Sequence, residues 1–144
     1  MGIFSSFKKK ENEETSDTNY VEALLKHSQD EPLGVADNNV IYAGYNELGG
    51  YYYFQTYVIG KFKLKTKTGA KLRIEGTNYS LDLNADMNEL ESEPADIFKG
   101  YVTRIDFEIE KDVVETIRRS TIKELILTTK KNKLVFKPFE KSEV

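Results

Sequence analysis

Cysteine is absent from this 144-residue chain, which removes a disulfide framework, thiolate metal sites and a cysteine nucleophile together. Histidine occurs once, at His27, so every His-pair mechanism and most zinc sites are excluded as well. No apolar run approaches the length that spans a bilayer. Positive charge is not in excess. The 21 Lys and Arg residues stand against 24 Asp and Glu, giving a formal charge of −3. That balance is wrong for a general nucleic-acid binder. The nucleophile-elbow, phosphate-loop and dinucleotide glycine patterns are also missing. These exclusions point away from an enzyme, imply no cofactor and leave nucleic acid off the list of partners.

What remains is an ordinary composition for a soluble globular domain, with 39% hydrophobic and 31% charged residues. The length fits one domain with a real core. Residues 1–18 read as a flexible N-terminal tail and residues 19–140 as a single mainly-β domain. In the tail, Ile3, Phe4 and Phe7 fall on one face if residues 2–10 are helical, and Lys8, Lys9 and Lys10 follow. Such a segment can rest on an anionic membrane surface, and Gly2 to Ser6 fits the N-myristoylation pattern. A solvated tail is the favoured alternative. Apolar residues precede the basic ones, the reverse of a secretory leader, so the expected compartment is the cytoplasm.

Asn19 with Glu22 three residues later forms a capping signature, and Val21, Leu24 and Leu25 give the apolar stripe of a short helix. Pro32 ends it. From residue 39 the period changes from 3.6 to 2. Strands are expected at 39–44, 51–59, 61–68, 71–75 and 79–83. Residues 84–98 read as a long acidic connection. Further strands are expected at 101–110, 122–129 and 134–138, with a short helix capped by Asp112. The predicted fold is mainly β: an antiparallel sandwich or closed barrel of about eight strands with two short helices. Leu72, Ile74, Leu81, Ile105, Phe107, Ile109, Leu125, Leu127 and Phe136 occupy the inward positions.

Three constellations carry chemistry. In 61–68, Lys61, Lys63, Lys65 and Lys67 share one face, and a partner strand would add Lys71 and Arg73. Such a face could hold phosphate or an acidic partner, or simply be solvated. Next, Asp82, Asn84, Asp86 and Glu93 stand at the first, third, fifth and twelfth positions of a calcium-loop spacing. However, Met87 replaces the glycine that the tight turn needs. Finally, tyrosines crowd 42–57. Tyr51 and Tyr53 share one sheet face while Tyr52 and Phe54 share the other, and Tyr57 belongs to the same cluster. One set must be core. The other is a platform for a partner or ligand, unless it packs beneath the N-terminal helix.

The expected function is that of a non-enzymatic, intracellular binding or structural module with a protein partner. Its candidate surface residues are Tyr51, Tyr52, Tyr53, Tyr57 and the four lysines. The alternative is a small-ligand or calcium binder using the loop 82–93 or the tyrosine strand 51–57.

Overall fold

Period-2 alternation over β-branched and aromatic residues makes strands wherever one face can be buried. A computed structural model describes residues 16–27, 30–95, 99–119 and 121–139. The tail residues Ile3, Phe4, Phe7, Lys8, Lys9 and Lys10 lie outside the described residues. The elements are α1 (Ser16–His27), β1 (Gly34–Val35), β2 (Asn39–Leu48), β3 (Tyr51–Gly60), β4 (Lys65–Thr66), β5 (Lys71–Gly76), β6 (Ser80–Asn84), β7 (Leu90–Glu91), β8 (Glu93–Ala95), β9 (Gly100–Ile109), α2 (Lys111–Arg119), β10 (Ile122–Thr128) and β11 (Lys133–Pro138).

Nine strands form one antiparallel sheet in the order β6-β5-β10-β11-β1-β2-β3-β9-β8, and β4 pairs with β7 beside it. The large sheet curls on itself. Ala85 bridges Phe107, and the Asp86 N–H donates to the Asp106 carbonyl at 2.8 Å, so the end of β6 returns to β9. The mainly-β expectation with two helices holds at this coarse level. The result is a curled, open half-barrel rather than a clear sandwich or a clearly closed barrel.

The concave face holds the core. Ile41, Phe54, Val58, Leu72, Ile74, Ile105, Phe107, Leu125, Leu127 and Phe136 are buried there, and Val114 and Ile117 of α2 join them. Of the predicted inward set, only Leu81 stays partly exposed, at the edge strand β6. Three side-chain hydroxyls inside are satisfied: Thr56 Oγ1 donates to the Ile105 carbonyl at 2.8 Å, and the Ser92 and Thr103 hydroxyls lie 2.6 Å apart.

Among the described residues, the convex face is covered in one place. Tyr20 and Leu24 of α1 pack on Val40, with Val35, Tyr42 and Ile59 around them. The approach is close, because a Cβ at Gly100 would collide with Tyr20 Oη and the Gly60 carbonyl. Helix α1 begins at Ser16 rather than Asn19. Ser16, Asp17 and Thr18 are also residue types found at helix starts, so Asn19 was one of several competing caps.

Three other expectations are corrected. Residues 61–68 do not form a hairpin with 71–75. Strand β5 pairs with β10 and β6, whereas only Lys65 and Thr66 form a strand, facing Glu91 and Leu90 of β7. The acidic connection is not strand-free, since it contains β7 and β8. Strand β2 runs through Gly44 to Leu48, where Gly49 and Gly50 close a two-residue turn at φ 61° and 87°. Two successive positive φ values are the signature of the hairpin turn that matches strand twist.

Candidate functional site

Helix α1 covers the convex face only where Val40, Tyr42 and Ile59 lie. Beyond it, the outward residues of β2, β3 and β9 form cross-strand rows fixed by register. Tyr42 faces Tyr57, which faces Arg104. Gly44 faces Gln55, which faces Asp106. Asn46 faces Tyr53, which faces Glu108, and Leu48 faces Tyr51 at the turn. Leu48 is 66% exposed, Tyr51 59% and Tyr57 39%. Tyr53 is half-buried. A Cβ at Gly44 would find no atom within 4 Å, so the middle row is open. Exposed aromatic and leucine side chains gathered on one face are unusual for a surface whose only task is solvation.

The other tyrosine set turns inward. Phe54 is fully buried, and Tyr52 is half-buried against the core. Tyr45 packs against Phe54 with ring centroids 5.3 Å apart and planes tilted by 45°. Of the predicted surface tyrosines, then, Tyr51, Tyr53 and Tyr57 share the convex face and Tyr52 does not. Tyr52 instead helps line an open depression of about 220 Å³ with Tyr45, Asn46, Glu47, Lys111, Val114 and Glu115.

Charge on the convex face is unequal. Arg104 lies over the Tyr57 ring at 5.9 Å and pairs with Asp106 at 3.1 Å. Hydrogen bonding to Asp106, followed by its charge, pushes the Arg104 guanidinium above its ordinary value. Among the described residues, Asp86 and Glu108 form no ion pair. The Tyr53 phenol is pushed above the ordinary value, first by partial desolvation on the sheet and then by the charges of Asp86 and Glu108. The contributions of Asp86 and Glu108 were hidden in the sequence. Asp86 follows β6 and is brought beside Tyr53 by the curl of the sheet, while Glu108 faces Tyr53 across the β3–β9 ladder.

The lysines are not a second site of the same kind. Lys61, Lys63, Lys65 and Lys67 are exposed, but they border an irregular segment rather than a charged sheet face. Lys61 Nζ lies 5.0 Å from the Tyr20 ring centroid and Lys63 Nζ 5.7 Å from that of Tyr101. Lys65 faces Glu91 across β4 and β7. Lys71 and Arg73 lie on β5, away from them, and Arg73 is taken up by Glu75 and Asp82.

The calcium-spaced residues are dispersed. Asp82 pairs with Arg73 at 3.0 Å, Asn84 ends β6, Asp86 turns toward Tyr53, and Glu93 lies on β8 opposite Val102. Among the described residues, no group of three or more His, Asp or Glu side chains is placed to hold a metal ion. Nor, among them, is any helix long and apolar enough to cross a membrane. No protein-family model, curated protein or solved structure matches this chain.

Proposed function

We propose that the protein is a non-enzymatic binding module that engages another protein through the convex face of β2, β3 and β9. One observation carries this reading. Of the five exposed large apolar side chains among the described residues, Leu48, Tyr51 and Tyr57 share one face that α1 leaves uncovered, with half-buried Tyr53 between them, whereas Met87 follows β6 and Val135 lies on β11. Tyrosine supplies a large rigid contact at low entropic cost, and interface centres are enriched in it. A regular sheet presents such rings at fixed spacing, so binding need not reorganise the fold. Cytoplasmic action is part of the proposal, since the fold holds no disulfide that a reducing compartment would break. A small ligand in the depression beside Tyr52 ranks second. At about 220 Å³ it falls below the roughly 300–1,000 Å³ of most small-molecule pockets.

The test places a photo-crosslinking side chain at Tyr53 of the full-length chain, with Val135 on β11 as the control position. In extract from cells that make the protein, illumination should give a discrete adduct with a second protein from position 53 alone. The same adduct from both positions, or none from position 53, overturns the reading.

A further inference from the structure

The convex face combines tyrosine rings with negative charge, and this combination selects a partner chemistry. Arg104 and Asp106 neutralise each other at 3.1 Å. Asp86 and Glu108 remain, both exposed and both close enough to act on the Tyr53 phenol. No Lys or Arg of the described chain pairs with either. The surface around Tyr53 is thus negative, and the ring faces available on β3 attract cations as well. This face already displays the combination of ring and carboxylate, in the Arg104 guanidinium held over Tyr57 and bonded to Asp106.

Spacing adds a second constraint. Tyr51, Tyr53, Gln55 and Tyr57 are successive same-face residues of one strand, so neighbours stand roughly 6.6–6.8 Å apart. Alternate side chains of an extended peptide have the same repeat. The middle row of Gly44, Gln55 and Asp106 has an open position at Gly44, which lets a peptide lie close to the sheet.

We propose that this face takes an extended protein segment carrying arginine or lysine at alternate positions. The basic side chains stack on Tyr51 and Tyr53, and their charged ends reach Asp86 and Glu108. The inference deepens the reading of the face as a protein-binding surface and rests on it.

The experiment is a nuclear magnetic resonance titration of the full-length, isotope-labelled protein. The probe is a blocked peptide in which arginine alternates with threonine, and a sister peptide carries glutamate in place of arginine. The arginine peptide should shift the signals of Gly44, Tyr51 to Tyr57 and Arg104 to Glu108, and the glutamate peptide should not. Replacing both Asp86→Asn and Glu108→Gln should weaken binding about threefold to tenfold, the scale of two exposed ion pairs. Tyr53→Ala should weaken it further. Raising the salt should weaken the wild type more than the charge variant.

Shifts centred on Glu89, Glu91 and Glu93, or equal binding of both peptides, overturn the proposal. So does a tenfold gain in affinity when Lys8, Lys9 and Lys10 are all replaced by Gln, since the chain's own tail would then be the occupant. A concentration-dependent dimer abolished by Tyr53→Ala assigns the face to a second copy and overturns it as well. If the crosslinked partner binds through Tyr53 yet is unaffected by Asp86→Asn and Glu108→Gln, the basic-segment inference fails while the binding face stands. If position 53 crosslinks to nothing, both fail.

Discussion

Phe107 shows how much one side chain can hold. It is fully buried, lies opposite Phe54 on β3 and bridges Ala85 where the sheet curls back. Phe107→Ala should cost about 3–5 kcal/mol, combining lost burial with the cavity left behind. Urea denaturation measures it, and a loss below about 1 kcal/mol would contradict the assigned core, because a one-residue slip would turn Phe107 outward. Tyr53 reports on the opposite face. Its phenol is raised by partial desolvation and by Asp86 and Glu108, so the fold favours the neutral form. Its contribution to stability is therefore complete below the ordinary phenol range and is lost as pH rises through the raised value. Ultraviolet difference titration should show Tyr53 ionising late, alongside Tyr20, whose phenol burial also pushes up. Asp86→Asn with Glu108→Gln should move the Tyr53 step back toward the ordinary value. An unchanged step would remove these carboxylates from the account.

At the scale of elements, the β2–β3 hairpin depends on its turn. Gly50 has φ 87°, and a Cβ added there would meet nothing within 4 Å. Gly50→Ala therefore suffers from backbone strain alone, about 1–2 kcal/mol. Urea denaturation should show that loss, and unchanged or increased stability would contradict the turn geometry. Most strands were legible from alternation: β3, β5, β6, β9, β10 and β11 appear close to their expected limits, because each turns alternate residues toward the core. Pairing was not legible. The alternation of 61–67 does turn Leu64 inward, where it is buried, although only Lys65 and Thr66 form a strand. Yet the backbone of Leu64 bonds to Ser92, through Ser92 Oγ at 2.7 Å and the Ser92 N–H at 2.8 Å, rather than to the following strand. Strands β7 and β8 were hidden because Asp, Glu and Pro are depleted in strands. They persist at the sheet edge, where Pro94 is tolerated and charge discourages further pairing.

For the molecule as a whole, the candidate face was half legible. Alternation showed that Tyr51 and Tyr53 share a face and that Tyr52 and Phe54 share the other. It did not show which set is outside, or that α1 stops over Ile59 and leaves the turn end of the hairpin bare. Nor could it show that the curl carries Asp86 to Tyr53 from a distant part of the sequence. The central claim is that the exposed tyrosines serve binding and not folding. The most direct test compares the two properties in one variant, Tyr51→Ser with Tyr53→Ser and Tyr57→Ser. Stability should fall by no more than about 1 kcal/mol per site, the span of strand preference at exposed positions. The total should stay below the loss from Phe107→Ala alone. Affinity for the protein crosslinked at position 53 should fall by about 100-fold or more, as expected when interface anchors are removed. Affinity within about threefold of the wild type in a folded variant would contradict the account.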